Sequence, residues 1–467
     1  MNVGMVNEYF APFAPGGAEH STRFLAQRLA QLERVVVITP NYGAAPHEEI
    51  DGVLVDRFAM PLKLRAGQRM LPYRCLANPL FYAYSAIQIA RRVKKYDLQI
   101  LHVHNKQSLV GATWAGRLTG VPVVVSLRDY LILCRYGMCL NAFDTHPDGC
   151  DWRSYRRCLH DYLALYMPEL GTPRRALIHA AAMYHRLDTT IKQAALRHAD
   201  AVVTVSNKMR RIYISRGLDP ACTLTIYNPA PAFDVAPAAR EDEREGASPE
   251  WRPCTDSGVD KLHRADTLHP ADTLHPYDVL YAGKLSWGKG PHVLVEALPA
   301  IREALSGKPV QVTLAGQGPL RPHLEQRVAE LGLSDRVTFA GQLPYEQLQG
   351  LYGQADVVVV PSVWQEPFGR VALEALMSGT PAVVSNRGGL GEIVEDGETG
   401  LVVDPEPRAI AEAVARVLRS PEMRTQVQAA LPQLRRKFGS DVSAAYLKVY
   451  NMVLAGQSPN LAGRDSL

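Results

Sequence analysis

A chain of 467 residues with 47% hydrophobic and 21% charged residues is too long for one ordinary core and too apolar for a disordered chain, so two domains of roughly 200 residues each are expected. The formal net charge is only +4, and no stacking motif of aromatic and basic residues accompanies the basic stretches, which argues against a nucleic-acid partner. The longest apolar runs, Val357 to Val360 and Val121 to Val125, have strand length and fall far short of a membrane span.

The N-terminal stretch Met1 to Asn7 reads as a first β-strand. It lacks the basic start and long apolar segment of a secretory signal, so a cytoplasmic location is expected. Up to residue 230 short apolar runs alternate with helical patterns, the signature of βαβ units on a parallel sheet. Strands are expected at Val3–Asn7, Arg34–Thr39, Val53–Phe58, Ile100–His104, Val121–Leu127, Ala201–Ser206 and Leu224–Tyr227. Helices are expected at Gly17–Gln31, Pro79–Lys94 and Thr189–His198. From Arg57 to Lys95 the chain carries nine basic residues and no acid. A second basic stretch holds Arg153, Arg156, Arg157, Arg174 and Arg175. Both read either as a solvated face or as a surface for anionic lipid headgroups or an anionic acceptor, peripheral at the inner face of a membrane.

Four of the seven cysteines, Cys134, Cys139, Cys150 and Cys158, fall in a loop spanning 131–185. A disulfide framework is disfavoured in a cytosolic protein, which leaves free thiols or a structural zinc with His146 as a further ligand. The spacings are looser than the paired Cys-x2-Cys of common zinc sites. Trp152, Tyr155 and Tyr162 either stack on sugars or pack as core. Residues 234–276 break the alternation with a charged run from Arg240 to Glu245 and a repeat, Ala265 to Pro270 and Ala271 to Pro276. This insertion has too few large apolar residues to bury a core. Its His263, His269 and His275 suit a solvated repeat better than a metal site.

From Tyr277 the alternation resumes, with strands expected at Asp278–Tyr281, Val310–Ala315, Val337–Ala340, Val357–Val360, Ala382–Ser385 and Gly400–Val403. The expected fold is α/β, two doubly wound Rossmann-like lobes, 1–230 and 277–435, facing a central cleft beyond their C-terminal strand ends. A last segment, 436–467, is expected to cross back toward the first lobe.

The most informative stretch runs from Glu366 through Glu374 to Gly379. Pro367 pushes Glu366 into an extended conformation and suits the first position of a helix. Gly379 fits the C-terminal cap. Glu374 then lies about one and a half turns inside that helix. The amides of Phe368, Gly369 and Arg370 form a helix N-terminus suited to a phosphate. Spacing alone is equally compatible with an acid favouring the helix dipole and a buried structural glutamate.

The Glu366-x7-Glu374 pattern, with Phe368-Gly369 after the first acid, resembles that of the retaining, GT-B-fold family 4 glycosyltransferases. Further segments match in order: Gly16-Gly17-Ala18-Glu19, Gly283-Lys284 through Lys289-Gly290, Gly316 to Pro319, Val337 to Gly341, and Gly388 to Gly400. The resemblance implies transfer of a sugar from a UDP- or GDP-linked donor to a glycan or polyisoprenoid-linked acceptor, with no cofactor and no catalytic metal. It assigns Lys284 and Lys289 to the diphosphate, with amides at Gly16, Gly17, Gly369 and Arg370. Glu366 would hold donor-sugar hydroxyls, Glu374 the ribose, the loops after Ala315 and Ala340 the base, and His104 a position near the reacting carbon. His102 reads as a core histidine. Two departures stand out. Position 284 is lysine where arginine is usual, which keeps charge and loses the bidentate fork. Arg128 precedes Asp129 where related sequences often have histidine. The alternatives are a nucleotide-sugar epimerase of the same fold and a non-catalytic nucleotide-sugar-binding or scaffold protein.

Overall fold

The computed structural model describes residues 1–13, 17–65, 68, 70–104, 106–134, 150–167, 170–229, 276–439 and 442–458. Gly16, Cys139, His146 and the 234–275 part of the insertion, with its repeat and histidines, lie outside the described residues.

Two parallel sheets organise the chain. The first contains β1 (Asn2–Val6), β2 (Arg34–Pro40), β3 (His47–Ile50), β4 (Val53–Phe58), β5 (Ile100–Val103), β6 (Val123–Leu127), β7 (Ala201–Thr204) and β8 (Thr223–Thr225). Their order is β3-β4-β2-β1-β5-β6-β7-β8. The second contains β9 (Tyr277–Ala282), β10 (Val310–Ala315), β11 (Val337–Gly341), β12 (Val357–Val360), β13 (Ala382–Ser385) and β14 (Gly400–Val403), in the order β11-β10-β9-β12-β13-β14. Strand order reverses beside β1 and beside β9, so each sheet is doubly wound and has a switch point at its centre. The expected fold class is the observed one.

Sequence explains the central strands. The four valines of β12 are all buried, as expected where helices cover both faces of a parallel sheet. β3, with the sequence His-Glu-Glu-Ile, escapes this logic. It pairs antiparallel to β4 at the sheet edge, where alternating exposure and two acids suit a strand with one open side. The helix Pro79–Tyr96 starts where Asn78 accepts a hydrogen bond from the Phe81 amide at 2.9 Å and Pro79 takes the first turn, a good N-terminus on both counts.

Part of the first basic run is internal. Arg57 is buried and donates to the carbonyls of Ala45 (2.7 Å) and Ala11 (2.6 Å). Arg92, Lys95 and the Tyr96 hydroxyl converge on buried Asp56 at 2.6–3.0 Å. Burial acts to raise the Asp56 carboxyl, but these donors outweigh it and hold it below its ordinary range.

The lobes meet through specific contacts. Ser206 donates to the Pro367 carbonyl at 2.6 Å. Glu392 of the second lobe accepts from the amides of Asn207 (2.8 Å) and Lys208 (2.6 Å), which open the helix Asn207–Ser215. An acid placed there satisfies two orphan donors and the positive helix end together. The helix Pro421–Phe438 stays with the second lobe, and Val442–Leu454 returns to the first, where Tyr446, Val449 and Tyr450 pack among Val3, Val35 and Val124.

Candidate functional site

The loop leaving β12 carries the glutamate singled out by sequence. Both carboxylate oxygens of Glu366 accept from Lys289 Nζ, at 2.7 and 2.8 Å. Oε2 also accepts from Trp364 Nε1 at 2.8 Å and Ser362 Oγ at 3.2 Å. Lys289 lies 4.9 Å over the Trp364 ring, where ring and carboxylate favour the ammonium together. The lysine belongs to the short turn Trp287–Lys289 after β9, so the central strands β9 and β12 each supply one member of the pair. The Glu366 main chain is fixed as well: its carbonyl accepts from the Gly389 amide at 2.7 Å. Gly388, at φ 66°, approaches so closely that an added Cβ would sit 1.9 Å from that carbonyl oxygen, which leaves glycine as the residue that fits.

The helix after this loop begins later than expected. It spans Arg370–Met377 with Gly369 as its N-terminal cap at φ 113°, so Pro367 is not its first residue. Gly369 can turn the chain where proline cannot. Glu374 is therefore only about one turn inside. It is buried and accepts from Arg370 Nε (2.7 Å), the Tyr352 hydroxyl (2.8 Å) and the Tyr345 hydroxyl (3.5 Å). A carboxylate offers about four lone-pair sites, so one further hydroxyl can be held. The Phe368 ring packs with Tyr227 and Phe438 at 6.2 and 6.0 Å between ring centres. Gly316 crosses the Gly283 carbonyl at a distance no side chain would allow. Lys284 is exposed on the same loop as Gly283, and among the described residues its side chain makes no ion pair.

On the first lobe, His104 follows β5 and is buried with neither ring nitrogen hydrogen-bonded. Burial, then His102 and Arg128, push its basicity well below the ordinary histidine value, so it stands neutral. The buried side-chain amide of Asn7, just past β1, is likewise unmatched. Orphaned polar atoms of this kind are rare in a finished interior, and these two stand at the adjacent ends of β1 and β5. His102 is satisfied: Nε2 is 2.8 Å from Ser126 Oγ and Nδ1 2.6 Å from the Tyr450 hydroxyl. Gly17 opens the helix Gly17–Ala30 after β1. Arg128 donates to Asn228 Oδ1 at 2.9 Å, and Lys106 reaches Asp129 at 3.3 Å.

Sequence reading passed over several members. Ser362 and Trp364 sit in the loop before Glu366 and carry no motif of their own. Glu8, directly after β1, accepts from the Gln107 amide at 2.9 Å, and burial raises its carboxyl despite the opposing pull of Lys106 and Lys192. Buried Lys192 donates to Asp188 (2.7 Å), Gln107 (2.6 Å) and Tyr73 (2.9 Å); these partners are scattered along the chain. Of the cysteine set, Cys134, Cys150 and Cys158 share one small cluster with Tyr155 and Leu159. Burial, then the neighbouring thiols, push Cys150 up to about 11. Among the described residues no group of three or more His, Cys, Asp or Glu is arranged to hold a metal.

Comparison with known proteins places the chain among glycosyltransferase sequences and folds. A family model described as "Glycosyl transferases group 1" matches residues 270–433, and one described as "Glycosyl transferase 4-like domain" matches residues 16–229. An uncharacterised glycosyltransferase of Methanocaldococcus jannaschii is 45% identical over 140 residues, 30% of this chain and 35% of that one. A D-inositol 3-phosphate glycosyltransferase of Corynebacterium urealyticum is 38% identical over 173 residues, 36% of this chain and 41% of that one. The chain thus aligns with well under half the length of either relative. The crystal structure of Anabaena HepE in complex with UDP and glucose superposes with a TM-score of 0.60 at 18% identity, covering 97% of this chain and 99% of that one.

Proposed function

Because the chain belongs to the group 1, GT4-type glycosyltransferases of the GT-B fold, we propose that it transfers a sugar from a UDP- or GDP-linked donor to a glycan or polyisoprenoid-linked glycan, with retention of configuration and without a catalytic metal. The observation that carries this reading is the Lys289–Glu366 pair at the switch point of the second sheet. A diphosphate binding there would draw Lys289 toward it and free the Glu366 oxygens for sugar hydroxyls. Charge developing on the departing diphosphate would meet Lys289, Lys284 and the amides at Gly369 and Arg370. Glu374, with its remaining lone pair, would take a ribose hydroxyl. His104, neutral and unmatched, would accept or donate one hydrogen bond beside the reacting carbon. In the transfer the bond from anomeric carbon to phosphate oxygen breaks and the bond to the acceptor oxygen forms on the same face. The acceptor's proton passes to the leaving phosphate, and neither glutamate forms a covalent intermediate.

The test is donor turnover with the product anomer read by NMR, for the native chain and for Glu366→Ala, with and without EDTA. Expected are a product of the donor's configuration, insensitivity to EDTA, and a loss in Glu366→Ala of about 10²–10³ in kcat, the scale of one preorganised polar contact. An inverted product, or full turnover by Glu366→Ala, contradicts the assignment. The proposed location is the cytoplasm; among the described residues no helix is long and apolar enough to cross a membrane.

A further inference from the structure

Asn7, His104 and Arg128 stand at the C-terminal ends of neighbouring strands with hydrogen-bonding atoms left over. Asn7 follows β1 and His104 follows β5; both are buried, and neither side chain has a partner for its polar atoms. Arg128 follows β6, the next strand across, and its Nε is buried and unmatched as well. The register joins the tips: Val6 lies beside Val103, and Val103 beside Val125. Buried polar atoms without partners are few in a finished protein. Gathered on adjacent strand ends, they mark a surface shaped for a ligand.

Arg128 is the charged member of this group. Among the described residues its hydrogen bond runs from Nη1 to Asn228 Oδ1 at 2.9 Å, which leaves the Nε side of the guanidinium fork open. The adjacent acid does not neutralise it. Asp129 accepts from Lys106 at 3.3 Å and from the Leu131 amide at 2.9 Å, and its carbonyl accepts from the Tyr213 hydroxyl at 2.8 Å. Burial pushes the guanidinium below its ordinary basicity; Tyr446 and Glu19 pull the other way, and Arg370 of the facing lobe adds to the loss. A cation held there without a bonded carboxylate costs stability unless an anion arrives.

Shape and position name the anion. The open edge of the fork matches the two oxygens of a planar carboxylate. The neutral His104 ring offers an N–H and the Asn7 amide offers more, enough to meet the remaining lone pairs of such a group. A sugar hydroxymethyl has a single oxygen and leaves the cation uncompensated. The place is on the sugar side of the cleft. His104 is the residue proposed beside the reacting carbon, and Ser206, past the next strand β7, donates to the carbonyl of Pro367, the neighbour of Glu366. The donors proposed for the diphosphate belong to the second lobe. We propose that Arg128, with Asn7 and His104, holds a carboxylate on the transferred sugar, so that the donor is a nucleoside-diphosphate uronic acid. This inference rests on the transferase reading and narrows its donor.

The test is calorimetric titration of the full chain, first with bare UDP and GDP, then with matched sugars on the base that binds. The pairs are UDP-glucose and UDP-galactose against their uronic acid forms, or GDP-mannose against GDP-mannuronic acid. Expected is tighter binding of an acidic donor by roughly tenfold to a hundredfold, the scale of a hydrogen-bonded charge. Arg128→Met is expected to abolish that preference with a thermal midpoint no lower than the native one, because it removes an uncompensated buried charge; an arginine with a purely structural role would lower it. Arg128→Lys keeps the charge without the fork, is expected to retain part of the preference, and serves as the independent variant if Arg128→Met fails to fold. Equal affinity for acidic and neutral sugars in a chain that binds the bare nucleotide overturns the proposal and leaves the transferase reading standing; no binding of any nucleotide overturns both. Loss of bare-nucleotide binding in Arg128→Met assigns the residue to the diphosphate and also overturns it. These titrations contain no acceptor, so a carboxylate carried by the acceptor would give equal donor affinities and count against the proposal.

Discussion

The Lys289 ammonium pairs with both oxygens of the Glu366 carboxylate, so in the proposed site one residue pair would couple phosphate binding to sugar binding. Both residues were legible from their motifs, but their pairing across 77 positions was not. Ser362 and Trp364 were missed because a serine and a tryptophan in a loop carry no spacing signal. His102 was read as a core histidine, and it is buried with both ring nitrogens paired. Its basicity is pushed down to about 3 by burial, then by Arg128, from an ordinary 6.5. The unfolded chain therefore takes up this proton below pH 6.5 while the folded one stays neutral to about pH 3. Stability contributed by the neutral ring is complete above 6.5 and falls as pH drops through that window, at up to about 1.4 kcal/mol per pH unit. In urea titrations His102→Gln is expected to be less stable at pH 7.5 and to show a shallower decline toward pH 5. An equal slope in both proteins would mean that His102 is protonated in the fold.

At the scale of elements, the buried strands were legible because continuous valine runs bounded by turn residues have few other readings. Helix starts were less so. The Pro367 signal was overridden by Gly369, whose left-handed backbone starts the helix three positions later. The helix Ala182–Leu196 was placed seven residues late at its N-terminus, because its buried face is polar and its outer face apolar, the reverse of the pattern sought. β3 was missed because His-Glu-Glu-Ile carries no strand signature. The element most exposed to a single change is the glycine turn at Gly388. Gly388→Ala is expected to destabilise the protein by about 1–3 kcal/mol through backbone strain and contact with the Glu366 carbonyl. Donor turnover should fall with it. A variant as stable and as active as the native chain would show that the loop holding Glu366 yields without cost.

Over the whole molecule, the last helix ties the two ends of the chain into one lobe. Tyr450 meets His102, 348 positions away, and Tyr446 meets Ser126, 320 away. Sequence suggested a helix crossing back but could not say that its tyrosines complete the first core, because their partners are set by tertiary geometry. Tyr450→Phe leaves the His102 Nδ1 without its partner in a buried site, and about 1–3 kcal/mol of stability should be lost. A loss within error of zero would show that a water takes the hydroxyl's place.

On the proposed reading a nucleoside diphosphate binds across Lys289 at the switch point of the second sheet. The measurement that tests it most directly is thermal unfolding with UDP, GDP and ADP, run beside Lys289→Ala. Binding to the native state alone adds about 2.7 kcal/mol at a hundredfold excess over Kd. Expected is a rise in Tm with UDP or GDP that Lys289→Ala largely loses. The same rise in the variant, or none with any nucleotide in the native chain, would contradict it.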